Sequence, residues 1–541
     1  MTSTLSSTPS VAASAGWADV VVVGAGSSGA ALAARLSDDP ARHVVLLEAG
    51  GPASDSAISI PAAFSKLFKT AVDWNYETTA QPALRGRTVY WPRGKVLGGS
   101  SSLNAMMWVR GFAADYDRWA ELAGPAWGAS TMLPLLDRIE RHPGLTGGTL
   151  DVEPQRSPSA HTAAFLDAVQ QAGLPVEQAN RPRPTGFTQT MVTQHRGARA
   201  STAVTYLDPV RNRPNLDIRT LAHATRVVFD GRRAVGVEYL RDGRLHRVDA
   251  RAEVVLAGGT INTPQLLQLS GIGAGDLLRR LGIEVLVDAP EVGENLADHL
   301  VSAFIPEVRG STLLDATTPQ QLANYLLRRR GLLTSNVAEA YGFVASRPDL
   351  PLPDLELIFA PVAYVGEGLL PIPGHGITIG PILVAPASRG TVTVLSPDPF
   401  EKPAVDPRYL SDPAGADRAA MLEGFRIAQR ILDAPAFRDR LTGRYLSPEG
   451  GELLDTDERA AEALERYSHT LYHPTGTARM GKDERSVVDP ELRVRGVEGL
   501  RVADASVFPE IIHGHTNAPA IAVGERAAEL IAAESRHTAV R

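Results

Sequence analysis

Two histidines near the C-terminal end hold the most chemical promise in this sequence. His473 stands in "LYHPTGTARMG", directly before a proline, and His515 stands in "HGHTNAP". An imidazole titrates near neutrality and can take a proton from one group and hand it to another. Two of them in one pocket would suit general acid–base work. Taken singly, histidines are more often structural or solvated, and His299, His469 and His513 are read in that way. Whether His473 and His515 do chemistry depends on what the other end of the chain binds.

That end offers a nucleotide cradle. Val20 to Val23 form a short β-branched run suited to a buried parallel strand. Gly24, Gly26 and Gly29 spell G-x-G-x-x-G, a helix of small residues follows, and "HVVLLEAG" reads as the next buried strand, ending in Glu48. The first glycine permits a tight turn, the second lets backbone approach a pyrophosphate, and the third lets helix and strand pack closely. The helix N-terminus then turns its unpaired N–H groups and positive dipole end to the phosphates. Glu48 stands where an acid accepts hydrogen bonds from a ribose. Strand, helix, second strand and acid together predict a bound dinucleotide, without separating NAD from FAD.

The elements around the histidines follow from spacing. Ala461, Leu464, Tyr467 and Leu471 recur at helical intervals, and Pro474 biases His473 towards an extended conformation outside that helix. "GLRVADAS" reads as a buried strand ending at Asp504, and "TNAPAIAVGERAAELIAA" as a helix capped near Thr516 or Asn517. His515 is thus expected just outside a helix N-terminus. In the middle of the chain, Gly258 and Gly259 follow the strand "EVVLA", and Pro264 is expected in the first turn of the next helix.

Composition narrows the field. The chain has 541 residues, a formal net charge of −7 and no cysteine. An acidic balance argues against a nucleic-acid partner. Without cysteine there is no disulfide, thiolate nucleophile or thiolate-bound metal, and no metal site is expected. A cytoplasmic location is expected: residues 1–17 lack the basic start and apolar stretch of a secretory signal and read as a disordered leader. No apolar run is long enough for a transmembrane helix.

Longer segments carry a family resemblance. "GKVLGGSSSLNAMMWVRG" (94–111) resembles the first signature of the glucose–methanol–choline (GMC) flavoprotein oxidoreductases, and "GTINTPQLLQLSGIG" (259–273) resembles the second. "VGENLADH", "SRGTVTVLSPDP" and the run from Gly499 to Ile531 are similar to further family segments, in order along nearly the whole chain. The resemblance implies FAD as the dinucleotide. It assigns cofactor contacts to Gly24, Gly26, Ser27, Ser28, Gly29, Glu48, Val96 and Gly99, and places Asn104, Ala105, Met106 and Met107 against the isoalloxazine ring. Ala224, Gly258, Asp504, Ala505, Thr516 and Asn517 complete the implied set. Members that attach FAD covalently use a histidine of the first signature. Leu103 aligns there, so FAD is expected to be non-covalent.

The same resemblance makes His473 and His515 the catalytic pair. His473 would accept the proton of an alcohol, most simply a primary one, while hydride passes to flavin N5, and His515 would hold the alkoxide oxygen. Oxygen or another electron acceptor completes the turnover, and the sequence leaves both open. The family also contains hydroxynitrile lyases and a light-driven fatty-acid decarboxylase, so a non-redox lyase or photodecarboxylase is the alternative. Choline-oxidising relatives carry a glutamate in a segment similar to "LLTSNVAEAYGFV", which makes Glu339, with Tyr341 and Phe343, a candidate for the substrate pocket.

The expected class is α/β (α+β overall): a Rossmann-like FAD-binding domain of GMC type with a second, substrate domain on an antiparallel β-sheet. Residues 18–303 are expected to form the N-terminal FAD-binding part, with a substrate-domain insert around 156–190. Residues 304–465 would form the substrate domain, and 466–541 the return to the FAD domain. The Pro- and Gly-rich segment 365–376 is expected to be a mobile loop over the entrance.

Overall fold

The computed structural model describes residues 13–144, 147–370, 372–448 and 456–539. Its first sheet is built on β1 (Ala13–Val23), which lies between β2 (Val44–Leu47) and a long strand at Arg244–Leu256, parallel to both. β1 therefore begins inside the segment read as a leader: residues 13–17 belong to it, because the long strand opposite offers backbone partners as far as His246. Residues 1–12 lie outside the described residues. The β-branched run Val20–Val23 is buried, as is Val44–Leu47. Each such side chain contributes about 1.5–3 kcal/mol on burial.

The long strand serves two partners along one edge. Its first half pairs antiparallel with Arg233–Arg241, and its last three residues pair parallel with Leu500–Val502. The C-terminal segment thereby returns to the nucleotide sheet. There α1 (Ser27–Leu36) packs against the C-terminal helix, Asn517–Ala539, and Ser28 Oγ donates to the Ala520 carbonyl at 2.6 Å.

The second sheet has six strands, all antiparallel, and its own apolar core. Its centre is Ala340–Val344, Leu355–Ala360 and Thr378–Leu383, with Phe187–Gln189 on one edge. On the other edge Leu300–Val301 pairs with His469–Thr470. This short edge brings two distant segments together: the Leu471 N–H donates to the His299 carbonyl at 2.8 Å. His299 and His473 thus become neighbours.

The helix after the second glycine pair starts earlier than expected. It spans Gly259–Leu269, so Pro264 falls inside it rather than in its first turn. The carbonyl that a proline nitrogen leaves free is that of Thr260, and Thr477 Oγ1 donates to it at 2.7 Å. Thr260 Oγ1 in turn donates to the Pro474 carbonyl at 2.8 Å. The proline thus costs no buried hydrogen bond, and the helix is tied to the loop that carries His473.

Candidate active site

A continuous cavity of about 320 Å³ runs between the two sheets. Gly24, Gly26, Ser27, Ser28 and Glu48 line it, as do Gly99 and Asn104 to Met107, and so do His473 and His515. Ala224, Gly258, Asp504, Ala505, Thr516 and Asn517 also face it. Two residues expected to touch the cofactor do not line the cavity. Gly29 packs α1 onto the strand turn, where a Cβ would stand 1.9 Å from the Gly24 carbonyl oxygen. Val96 is wholly buried and bridges to Gly51.

At the nucleotide end, the Ala25 and Gly50 N–H groups donate to the Glu48 carboxylate at 2.9 and 2.8 Å. Burial still pushes its pKa up to about 7. Ser27 Oγ donates to Asn517 Oδ1 at 2.7 Å, so the starts of the first and last helices are laced together beside the cavity. Asp504 accepts from the Gly259 N–H and from Thr263 Oγ1, at 2.8 and 2.7 Å. Behind the glycine–serine turn lies wholly buried Arg199, which donates to the Ser101 carbonyl and to Asn104 Oδ1. Burial lowers its pKa to about 9.

Lining the same cavity, the rings of His473 and His515 stand 4.6 Å apart, centroid to centroid. The His473 N–H donates to Asp298 Oδ1 at 2.9 Å, and Asp298 is also bound by the Tyr409 hydroxyl. Burial, reinforced by His515, His299 and Arg93, holds the His473 pKa well below the ordinary imidazole value of 6.5. His473 is therefore neutral near pH 7 and has a lone pair to offer. Its Nδ1 lies 3.0 Å from His299 Nδ1, while His515 Nε2 lies 3.1 Å from both carboxylate oxygens of fully buried Glu356.

A family model described as GMC oxidoreductase matches residues 18–301, and its C-terminal counterpart matches 386–524. The chain is a GMC oxidoreductase. It is 57% identical over 525 residues to an uncharacterized GMC-type oxidoreductase of Mycobacterium tuberculosis, covering 95% of this chain and 99% of that one. It is 39% identical over 530 residues to an alcohol dehydrogenase [acceptor] of Pseudomonas putida, covering 95% of each. Among solved structures, a variant of Aspergillus oryzae formate oxidase described for its FAD modification superposes with a TM-score of 0.88 at 30% identity, covering 97% of this chain and 100% of that one.

GMC oxidoreductases are FAD-dependent, and the residues present here fit that group. A Cβ on Gly26 would meet only Gly99 Cα, at 3.9 Å, so the second glycine leaves open space where a pyrophosphate would lie. Glu48 faces the same space with acceptor oxygens for ribose hydroxyls.

Glu339 is not part of this GMC oxidoreductase cavity. It is buried just ahead of the strand Ala340–Val344, where the Ser159 N–H, Thr162 Oγ1 and Ser335 Oγ donate to it at 2.5–2.7 Å. Tyr341 and Phe343 also miss the main cavity; both line a small pocket beside Val109 and Arg110. Glu339→Gln puts an amide N–H₂ among three donors, and should lower stability by about 1–3 kcal/mol. Thermal unfolding reads that loss. The ratio of kcat/KM for amino-alcohols to that for neutral alcohols should stay unchanged, and a shift in the ratio would return Glu339 to the pocket.

Residues that the motifs did not single out complete the site. Glu356 and Arg93 carry no local signature, because Glu356 meets His515 only through the assembled fold and Arg93 bonds the Tyr472 carbonyl beside His473 across a crossing loop. Asp298 and His299 both lie in the segment "VGENLADH", the one signal in the sequence that points to them. Phe64, Phe68, Tyr364 and Tyr472 form an aromatic cluster that lines the same cavity.

Proposed function

We propose that this FAD-dependent enzyme oxidises a primary alcohol, with His473 as the base and His515 as the group that holds the oxygen. The observation that carries the reading is the buried pair, 4.6 Å apart, lining the same cavity as the nucleotide cradle. An alcohol gives up hydride readily only as its hydroxyl proton leaves, so a neutral base beside the hydroxyl is the first requirement. Bound FAD supplies the acceptor for the electron pair that departs with the carbon-bound hydrogen.

The protein sets which nitrogen of the base is free. The Nδ1 atoms of His299 and His473 face each other at 3.0 Å, so one donates and the other accepts. With His473 donating from Nδ1, its Nε2 lone pair is left for the substrate proton. On the other ring, the Glu356 carboxylate requires a proton on Nε2 of His515, so Nδ1 is the nitrogen left to a bound oxygen. If that oxygen gains negative charge, the carboxylate behind the ring supports an imidazolium in front of it.

Leu103 lines the cavity at the position where covalent relatives place a histidine, and a side chain without a nucleophilic atom supports non-covalent FAD. The absence of cysteine from the sequence accords with a cytoplasmic setting. One set of experiments tests the reading. Anaerobic titration in the dark with a panel of primary alcohols should bleach the flavin band, and acid precipitation should leave all the flavin in the supernatant. If no alcohol bleaches the flavin and turnover needs light or proceeds without net redox change, the enzyme is a lyase or photodecarboxylase. A yellow pellet would mean covalent attachment.

A further inference from the structure

Among the described residues, twelve large apolar side chains are exposed, and four of them sit on one helix and the turn before it. The helix spans Pro319–Arg328, and the turn spans Leu313–Thr317. Leu322, Leu326 and Leu327 project from the helix into solvent together with Leu314 from the turn; Leu327 is 84% exposed. On the opposite face, Tyr325 is buried against Ala316 and Leu333, and Gln321 accepts a hydrogen bond from the Leu332 N–H. A surface helix ordinarily turns its apolar stripe to the core and its polar face to water. This one is turned the other way: the leucines face out, and the amide and phenol face in.

The basic residues lie where such a helix would need them. Arg328, Arg329 and Arg330 follow the last leucine directly and are all exposed. None of the three guanidinium groups has an ion-pair partner among the described residues; Arg329 lies over the Tyr325 ring at 4.7 Å. The chain as a whole is acidic, at −7, so this is a local excess of positive charge. The neighbouring surface extends the apolar character. Ile60 and Ala62 pack on the same small core as Tyr325, and the turn at Gly368 rests against Ser65 just ahead of exposed Leu369 and Leu370.

We propose that the outward face of the 319–328 helix docks on an anionic lipid surface, with the leucines in the acyl boundary and the three arginines among the headgroups. Exposed leucines beside unpaired arginines form the pattern of a helix that lies in the plane of a membrane interface. A second copy of the chain is the less fitting occupant. An isologous contact offers the arginines only the same helix, Pro319–Arg328, which carries no carboxylate to pair with them. Nothing in this attachment requires a spanning segment, and no helix among the described residues is long and apolar enough to cross a membrane.

The test uses the flavin-loaded enzyme and flotation with vesicles of phosphatidylcholine plus phosphatidylglycerol, against vesicles of phosphatidylcholine alone. Wild-type protein should float with the anionic vesicles, less so with the neutral ones, and progressively less as salt is added. The double variant Arg328→Gln, Arg330→Gln should weaken partitioning roughly 10- to 30-fold. The double variant Leu326→Glu, Leu327→Glu should weaken it by at least about 100-fold. Both variants should keep wild-type flavin content and wild-type bleaching by a soluble alcohol, because neither site touches the cavity. Absence of wild-type flotation overturns the proposal, as does a leucine variant that floats like wild type. A wild-type dimer that the leucine substitutions convert to monomer, with no vesicle binding, assigns the face to a second copy instead.

Discussion

His473→Ala should bind FAD and fold like the wild type, and its flavin should be reduced by the best alcohol roughly 10²–10⁴ times more slowly. That corresponds to about 3–5 kcal/mol of lost transition-state stabilisation. The variant keeps its cofactor because the ring bonds to His299, while Glu48 and the first glycine turn are held by their own backbone N–H groups. Stopped-flow reduction under anaerobic conditions measures the loss. The pH dependence gives the sign an independent check. His473 acts only when neutral, and burial holds its pKa well below 6.5. Wild-type reduction should therefore be flat through neutrality and fall only on the acid side of 6.5, and His473→Ala should lack that acid limb. His515→Ala should cost less, and His515→Asn least, since an amide still donates a hydrogen bond. The two alanine changes together should be less than additive, because both rings serve one proton. A His473→Ala enzyme that reduces its flavin at the wild-type rate would transfer the base to His515.

The second large effect is expected at Gly99, where the two glycine turns of the cofactor site touch. Gly99 has φ +50°, and a Cβ there would stand 2.6 Å from Gly26 Cα. The Gly98 N–H also donates to the Ala25 carbonyl at 2.8 Å, so the turns are locked together by backbone alone. Gly99→Ala adds left-handed strain of about 1–2 kcal/mol and a backbone overlap that typically costs about 1–3 kcal/mol more. Neither neighbour is a flexible side chain that could swing aside. The purified variant should be largely colourless, with a lowered unfolding midpoint. Gly86→Ala is the control: its φ is +71°, but nothing lies within 4 Å of the added methyl, so only strain is felt and flavin content should be unchanged. If Gly99→Ala purifies with a full flavin complement, the close approach of the turns does not control cofactor binding.

What could be read from the sequence was what local chemistry specifies. Gly24, Gly26 and Gly29 lie within one turn and one helix start, and Glu48 ends the adjacent strand, so their relation follows from chain geometry over a short span. The proline after His473 and the small-residue helix after His515 are local in the same sense. The limits were also local. A β-branched run predicts a strand but not its start, and β1 extends back to Ala13 because a long partner strand lies beside it. Pro264 looked like a first-turn residue until Thr477, brought in by the fold, supplied a donor for the carbonyl it leaves free. The two glutamates show the division most clearly. Glu339, singled out by its segment, faces Ser159, Thr162 and Ser335, while Glu356 on the neighbouring strand meets His515. Along a strand successive side chains point to opposite faces, and register between strands decides which face meets the histidines. That register pairs Glu356 with Phe343 and Ile382 across three strands, and only the assembled sheet specifies it.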